Sequence, residues 1–429
     1  MTLPAMHSAP KIDDAGIRPR EETLKRRWAG VNERTPINSH QYSFAAPERL
    51  EEYVQAQFPT EAERDRYRWY REEWYRRAKE FDPGEAPLAV TCELVSTCNL
   101  GCSMCYTISE EFQTSVVGAQ RMLPWPIVRA VIDEAAELGV PSMLFSWRGE
   151  SSMYRSYDEN RKLVRFPDVL AYARRRGILE ITSLTHGQLI DDRMAADLVA
   201  AEPSWISFSI DGLAEAYNKI RTPANKKGTD YDAFATVTGN VRRLVAARDA
   251  AGKTRPQIRV NSVFPAIAQD PEAYRRFMED IGVGGVTVNE LLDFRGDDLP
   301  DAAIIGDWAC QYPFQRLTVS ANGIVLPCTG AHNEEDGLVL GRYLGAPPKV
   351  VRAADGSMAK VEAPEIGLRR AWHCEKLERI RRLHKDNRRQ EIDPGCRNCR
   401  HGAVKHGVGW VPDDWNMETM EWEGGTWRE

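Results

Sequence analysis

The sequence lacks the features that mark membrane, secreted and nucleic-acid-binding proteins. None of its apolar runs approaches the roughly 20 residues that a membrane-spanning helix requires. Its first 16 residues lack the basic and apolar stretches of a secretory signal, so we expect a cytoplasmic location. Lys and Arg number 57 against 63 Asp and Glu, and the net charge of −6 gives no overall basic field for a polyanion. We therefore expect neither a membrane nor a nucleic-acid partner.

Cysteine is scarce, and its nine copies make an odd number. In a reduced compartment this argues against a framework of disulfides, and clustered spacing indicates metal binding instead. One group is a tight triplet within eight residues, and a second group combines a close pair with a looser pair. The triplet is Cys98, Cys102 and Cys105, the close pair is Cys396 and Cys399, and the looser pair is Cys310 and Cys328.

Residues 86–295 alternate short β-rich runs with amphipathic helices six times over. Such repetition predicts a parallel sheet with right-handed crossovers, either doubly wound or curled into a barrel. In both architectures the reactive site lies at the carboxyl ends of the strands. The strand candidates are 88–95, 142–147, 178–184, 204–210, 257–264 and 285–292.

The segments before and after this unit lack its regular alternation of strands and helices. Before it, a polar arm leads into a helix that Thr60 and Glu63 can cap, the capping-box pattern. After it, Asn322-Gly323 predicts the turn of a β-hairpin, and a charged helix follows around 375–388. We expect an N-terminal arm and helical extension (1–85), the strand–helix unit (86–295), a small cysteine-bearing domain (296–411) and an acidic, Trp-rich tail (412–429).

The cysteine triplet lies on one tight loop directly after the first predicted strand, in the segment STCNLGCSMCY. Three thiolates this close can bind three corners of a cubane iron–sulfur cluster and leave the fourth iron open. A tetrahedral zinc site would want a fourth protein ligand, and none follows locally. The spacing therefore predicts a cluster with one open coordination position.

The segment ELVSTCNLGCSMCY on this loop resembles the signature of the radical S-adenosylmethionine (radical SAM) superfamily. The resemblance implies a partial (β/α)6 TIM-like barrel. It also implies that Cys98, Cys102 and Cys105 bind a 4Fe-4S cluster whose open iron chelates SAM, with Met104 near the adenine. Enzymes of this family cleave SAM reductively to a 5′-deoxyadenosyl radical, which abstracts a hydrogen atom from the substrate.

Further segments resemble the family's SAM-binding motifs, in the expected order and each at a strand end. FSWRGES resembles a Gly-Gly-Glu motif with Arg148 in place of the first Gly, and SLTHGQLI resembles a Thr-Asn-Gly turn with His186 in place of Asn. SFSIDG and NKIRTP correspond to segments near the ribose and the carboxylate of SAM. The resemblance implies that Glu150 accepts from the SAM ammonium, that Ser209 and Asp211 lie near the ribose, and that Arg221 reaches the carboxylate.

The four remaining clustered cysteines are open to two interpretations. Two pairs of cysteines can hold one zinc ion, although 17 residues between Cys310 and Cys328 are many for a zinc ribbon. The segment also resembles the SPASM/twitch extension of some radical SAM enzymes, which implies that Cys310, Cys328, Cys396 and Cys399 bind an auxiliary 4Fe-4S cluster. Cys374 can replace one of these ligands or be an ordinary helical cysteine.

The sequence predicts the environment of two residues of the first strand, Cys92 and Glu93. Strand alternation places Cys92 and Glu93 on opposite faces, and Cys92 is best interpreted as a small buried hydrophobe. Glu93 either points inward, where burial demands a partner, or forms an exposed ion pair.

A second cluster implies electron transfer, so the resemblance favours an oxidoreductase or maturase that oxidises, epimerises or cross-links its substrate. The substrate is either a peptide or a sugar-type molecule, and a flavodoxin or ferredoxin is the expected electron donor. The alternative is a non-catalytic two-cluster electron carrier or a zinc-stabilised binding protein, against which the ordered SAM-site matches argue. Candidates at the barrel mouth for acid–base or substrate contacts are His186, Glu290, Asp293 and Arg259.

Overall fold

The structure is a computed structural model. It describes residues 37–38, 47–110, 112–224, 231–267, 270–289, 310–334, 337–353, 355–392, 395–397, 399, 415–416 and 421–422.

Two helices precede the sheet: α1 (Pro47–Gln57) and α2 (Glu61–Glu80). The predicted capping box begins α2, since the Glu63 N–H donates to Thr60 Oγ1 at 3.3 Å and the Thr60 N–H donates to Glu63 Oε2 at 3.2 Å. The helix ends at Phe81, whose backbone is left-handed. The sequence therefore predicted the start of this helix.

The six predicted strands form one parallel sheet, in chain order from one neighbour to the next. Nearly all side chains of the first four strands are buried, as expected when helices cover a parallel sheet, whereas buried and half-buried side chains alternate in the fifth. Pairing among the described residues does not close this sheet into a full barrel, which confirms an open, TIM-like α/β fold. The strands are β1 (Ala89–Cys92), β2 (Ser142–Leu144), β3 (Glu180–Thr185), β4 (Trp205–Ser209), β5 (Gln257–Val263) and β6 (Gly285–Asn289).

Helices follow the strands as the alternating pattern predicts. Their apolar faces join the strands in one large core, for example through Val128, Leu170 and Leu198. A short hairpin, Arg155–Tyr157 with Leu163–Arg165, follows β2, and Phe264–Ile267 is a single helical turn after β5. The helices are α3 (Trp125–Glu137), α4 (Phe166–Arg175), α5 (Asp192–Ala201), α6 (Ala214–Ile220), α7 (Ala233–Ala250) and α8 (Pro271–Asp280).

The C-terminal region extends the same sheet. Strand β7 (Arg316–Val319) pairs in parallel with β1, from Arg316 opposite Ala89 to Val319 opposite Cys92. The predicted Asn322-Gly323 turn then leads into β8 (Ile324–Leu326), antiparallel to β7, and Gly323 has the positive φ of 77° that the turn requires. Further elements are β9 (Gly341–Tyr343), the hairpin Lys349–Arg352 with Met358–Val361, the strand Glu365–Ile366, α9 (Leu368–Trp372) and α10 (Glu375–Lys385).

The aromatic face of α2 covers the amino ends of the strands. Tyr67 Oη donates to Glu180 Oε1 at 2.8 Å, and Ser142 Oγ donates to Glu180 Oε2 at 3.0 Å. Tyr70 and Trp74 are buried beside them. These aromatic side chains thus pack against the edge of the sheet opposite the expected reactive site.

Arg259 belongs to this covered edge, and its predicted place at the barrel mouth is wrong. It is the third residue of β5, and its guanidinium lies over the rings of Trp205 and Tyr53, 5.1 and 5.6 Å from their centroids. Arg259 therefore lies toward the amino end of β5, away from the carboxyl edge where the reactive site is expected.

Within the described residues, no helix is both long and apolar enough to cross a bilayer. Most of the tail beyond residue 412 lies outside the described residues. Its described residues, Trp415–Asn416 and Glu421–Trp422, pair as two short antiparallel strands.

Candidate active site

The cysteine loop after β1 is fixed by backbone hydrogen bonds to the segment that follows α6. The Gly101 N–H donates to the Thr222 carbonyl at 2.7 Å, and the Ala224 N–H donates to the Asn99 carbonyl at 3.0 Å. From the next strand end, the Glu150 N–H donates to the Thr97 carbonyl at 2.9 Å. These bonds bring together three of the segments that the sequence analysis singled out.

The three thiols of the loop lie in a largely buried and polar environment. Burial raises the pKa of Cys98 to about 12, and the charge of Glu150 adds to the effect. Burial likewise raises the pKa of Cys102 to about 12, although Arg221, whose Nη1 lies 3.9 Å from the Cys102 sulfur, opposes the rise. The Cys105 sulfur lies 2.9 Å from the Thr107 hydroxyl. Thiols so disfavoured as anions become thiolates when metal binding displaces their protons.

Glu150 is buried at the carboxyl edge and accepts several hydrogen bonds. Its Oε1 accepts from the Ser152 N–H at 2.9 Å and from the Thr185 hydroxyl at 2.7 Å, while Oε2 accepts from the His186 N–H at 2.8 Å. Burial opposes ionisation, but the His186 ring and these donors hold the pKa of Glu150 below its usual value. The site therefore contains a fixed, ionised carboxylate beside the cysteine loop.

His186 connects Glu150 to the cysteine loop. Its Nδ1 accepts from the Gln188 N–H at 3.0 Å, so Nε2 carries the proton and donates to Asn99 Oδ1 at 2.7 Å. Burial lowers the pKa of His186, although the charge of Glu150 opposes the shift. In this arrangement His186 holds Asn99 in the loop.

Asp211 and Arg221 form a buried ion pair near the same loop. Arg221 Nε donates to Asp211 Oδ2 at 2.6 Å, and the Val263 N–H donates to Asp211 Oδ1 at 3.1 Å. Asp211 thus orients the guanidinium next to Cys102. Ser209, the last residue of β4, and Met104, within the cysteine loop, are both half-buried.

Arg148, the residue in place of a motif glycine, is fully buried in a network of charges. Its guanidinium reaches Glu93 at 2.7 Å and Glu334 at 2.7 Å, and Lys349 Nζ donates to Glu334 at 2.6 Å. Arg148 Nη1 also donates to the His332 carbonyl at 3.0 Å. The network joins the ends of β1 and β2 to the C-terminal region.

This network settles the alternatives for Glu93 and confirms the interpretation of Cys92. Glu93 is buried and paired, so the exposed ion pair is wrong, and Cys92 is a buried member of the core. The sequence analysis missed Glu334, Lys349 and Asn99 as parts of the site. An arginine at a glycine position was the available signal, since a buried guanidinium requires carboxylates.

The four cysteines of the second group line one cavity. Burial raises the pKa of Cys310 and Cys396, and the neighbouring thiols Cys328 and Cys399 add to both shifts. The two pairs, far apart in sequence, thus meet at a single place. Cys374 is outside the cavity lining and caps the N-terminus of α10, where its sulfur accepts from the Leu377 N–H at 3.5 Å.

Both cysteine groups are compatible with iron–sulfur chemistry in their donor sets. All nine cysteines lie in the described part of the chain, and none of them forms a disulfide. No three His, Cys, Asp or Glu side chains among the described residues converge closely enough to hold one metal ion. The four thiols around the cavity instead surround a space, and one buried ring nitrogen beside them, Nε2 of His384, finds no hydrogen-bond partner in the described structure. Four sulfur donors around one cavity are the set that iron–sulfur clusters take.

Two predicted catalytic residues, Glu290 and Asp293, lie outside the described residues. At the carboxyl edge, the structure brings the cysteine triplet together with His186 and with three of the predicted SAM-site residues, Glu150, Asp211 and Arg221.

Residues 93–244 match the model of the radical SAM superfamily and form a radical SAM domain. They contain the cysteine triplet and the ion pair of Asp211 with Arg221. Proteins of this family use a 4Fe-4S cluster and SAM.

The chain is similar to Fe-coproporphyrin III synthase of Methanosarcina barkeri, with 31% identity over 142 residues, which cover 33% of this chain and 31% of that protein. It is also similar to PqqA peptide cyclase of Granulibacter bethesdensis, with 26% identity over 278 residues, or 58% of this chain and 69% of that protein. Among solved structures, Streptococcus suis SuiB bound to precursor peptide SuiA has a TM-score of 0.42 and 12% identity, covering 84% of this chain and 77% of that one. The chain thus matches less than a third of the length of Fe-coproporphyrin III synthase.

Proposed function

We propose that this protein is a radical SAM enzyme that modifies a peptide through hydrogen-atom abstraction and transfers electrons through an auxiliary 4Fe-4S cluster. One observation carries the proposal: the cysteine triplet meets the Glu150 carboxylate and the Asp211–Arg221 pair at the carboxyl edge of a parallel sheet. An electron carrier needs no buried, fixed carboxylate and guanidinium beside its cysteine loop. When bound, the reduced cluster and SAM supply a 5′-deoxyadenosyl radical.

Each residue of the site has a defined task in this proposal. Cys98, Cys102 and Cys105 hold the first cluster. Glu150, kept ionised by its donors, accepts a charge-assisted hydrogen bond from the SAM ammonium. Arg221 pairs with the SAM carboxylate, while Asp211 holds the guanidinium in position. Met104 and Ser209 border the adenosine moiety.

The second task, electron transfer, falls to the four cysteines of the cavity. Cys310, Cys328, Cys396 and Cys399 supply four thiolates, enough to ligate all irons of a 4Fe-4S cluster. A fully ligated cluster has no open iron for the substrate, so its role is to accept or donate an electron. A flavodoxin or ferredoxin would then deliver electrons to the protein.

The peptide is favoured because PqqA peptide cyclase matches over more than half of this chain. We propose a maturase-type oxidation or cross-linking of a peptide side chain. His186 holds the cysteine loop rather than transferring a proton, because both of its ring nitrogens are engaged within the protein.

The test begins with anaerobically reconstituted, dithionite-reduced protein and SAM. We expect 5′-deoxyadenosine from the wild type, none from Cys98→Ala, and about eight irons per chain. Substituting all four cavity cysteines with Ala should leave about four irons, while Cys374→Ala, outside the cavity, should leave about eight. Zinc in place of half of the iron would contradict the auxiliary cluster, and absence of 5′-deoxyadenosine would contradict the enzyme.

The substrate class is tested by isotope transfer. The probe is a deuterated peptide whose sequence is encoded next to the gene for this protein. We expect deuterium to pass from this peptide to 5′-deoxyadenosine. Transfer from a deuterated sugar with none from the peptide would reject the peptide and leave the SAM chemistry standing.

A further inference from the structure

A histidine at the four-cysteine cavity has no part in the chemistry proposed above. His384 lies in the last turn of α10 and is buried, with 1% of its surface exposed. It lines the cavity together with the cysteine thiols and with Arg389. A polar ring in such a place requires a hydrogen-bond partner.

The hydrogen bonds of His384 determine which nitrogen carries the proton. Its Nδ1 accepts from the Cys310 N–H at 3.2 Å, so the neutral ring carries its proton on Nε2. Nε2 is buried and has no hydrogen-bond partner among the described residues. A buried N–H donor therefore belongs to a residue that lines the four-cysteine cavity, and it has no acceptor among the described residues.

We propose that the Nε2–H of His384 donates a hydrogen bond to the auxiliary iron–sulfur cluster and thereby raises its reduction potential. The inference rests on the proposed function, since it requires that the cavity hold a cluster. Reduction adds negative charge to the sulfur atoms, so a donor to sulfur stabilises the reduced state more than the oxidised one. Four cysteines already supply the ligands, which leaves His384 to the role of positioning residue and donor.

Arg389 reinforces the same effect through its charge. Its side chain is completely buried, lines the cavity, and donates from Nη1 to the Cys396 carbonyl at 2.7 Å. A cluster with four thiolates carries net negative charge, which a buried guanidinium lining the same cavity offsets.

The experiment uses the full chain with Cys98, Cys102 and Cys105 replaced by Ala, which we call the parent chain, so that only the second cluster remains. Potentiometric titration followed by electron paramagnetic resonance then measures one midpoint potential. The Asn side chain in His384→Asn keeps an acceptor near the position of Nδ1 but has no donor at the position of Nε2. The longer side chain in His384→Gln places an amide N–H near the position of Nε2. We expect a lower potential for His384→Asn and a potential close to that of the parent for His384→Gln, both with about four irons per chain.

The matched control is His373→Asn, since His373 is exposed and outside the cavity lining. It should leave the potential unchanged. An unchanged potential in His384→Asn, or an equal fall in both His384 variants, would overturn the donor role while leaving the cluster in place. Iron absent from the parent chain would instead overturn the auxiliary cluster, and the inference with it.

A second measurement needs no substitution at His384. Pulsed magnetic resonance of the reduced parent chain, labelled with ¹⁵N-histidine, should show one weak nitrogen coupling, as a hydrogen bond to the cluster produces. A strong coupling would show that a histidine ligates the cluster and would overturn the donor role, and no coupling would overturn it as well.

Discussion

Arg148 donates from Nε and Nη2 to the two carboxylate oxygens of Glu93, at 3.0 and 2.7 Å, and both side chains are completely buried. This two-point contact joins the turn that carries Glu150 to the strand that leads into the cysteine loop. Although burial lowers the pKa of Arg148, the charges of Glu93 and Glu334 outweigh it and raise that pKa above its usual value. The guanidinium is therefore a permanent charge on which two buried carboxylates depend.

Removing this guanidinium should destabilise the protein severely. We expect Arg148→Ala to lower the free energy of unfolding by about 3–5 kcal/mol, because it leaves Glu93 and Glu334 buried without their partner. Urea unfolding near neutral pH measures the change. The matched control is Arg129→Ala, whose exposed pair with Glu159 should contribute less than about 1 kcal/mol. A loss in Arg148→Ala no larger than in the control would contradict the network's importance.

The stability that Glu334 contributes should depend on pH. Burial raises its pKa, but Arg148 and Lys349 outweigh this and hold the pKa below the usual value of 4.5. The folded state thus binds the proton more weakly than the unfolded state, so the stabilisation is complete above about pH 4.5 and is lost as the pH falls through the folded pKa. Glu334→Gln should cost about 3 kcal/mol at neutral pH, and less at about pH 3.5.

Unfolding of wild type and Glu334→Gln across this pH range provides the comparison. Because carboxyl groups outside this network titrate equally in both proteins, the difference between the two proteins reports on the network around Glu334. A difference that does not change with pH would show that the pKa of Glu334 is the same in the folded and unfolded states.

Neutralising Glu150 should weaken SAM binding. A charge-assisted hydrogen bond contributes about 1.5–3 kcal/mol, so Glu150→Gln should raise the dissociation constant for SAM by about 10–100-fold. Calorimetry on the reconstituted protein measures it, with iron content confirming that the first cluster is retained. Glu137→Gln, an exposed site on α3, serves as the control and should bind SAM like the wild type. Equal affinity in both variants would remove Glu150 from the SAM site.

The contact of His186 with Asn99 should appear as coupling between the two residues. Each of His186→Ala and Asn99→Ala removes the same 2.7 Å hydrogen bond, so the double variant should be more stable than the sum of the two losses predicts, by about 1 kcal/mol. Urea unfolding of the four proteins gives this value. Additive losses would show that His186 does not hold the cysteine loop through Asn99.

Local patterns were enough to predict most of the fold. Each of the six strands was identified from a short β-rich run, because a buried parallel strand needs an apolar stretch between two helices. The capping box of α2 and the Asn322-Gly323 turn were likewise encoded by neighbours in sequence.

The charge network and the second cavity could not be predicted in the same way. Arg148 and Glu334 are 186 residues apart, and only tertiary packing brings them together. His384 did leave a signal, since it shares one helical face with Leu377, Ile380 and Arg381, all buried. A histidine on such a face requires an internal partner, but the sequence does not show that four cysteines lie opposite.

The pairing of β7 with β1 has a consequence for attempts to divide the protein. All four residues of β1 are buried, and β7 is hydrogen-bonded along its full length. Truncation before β7 would turn β1 into an apolar edge strand with unpaired backbone groups, which favours intermolecular association. We therefore expect the isolated radical SAM domain to aggregate.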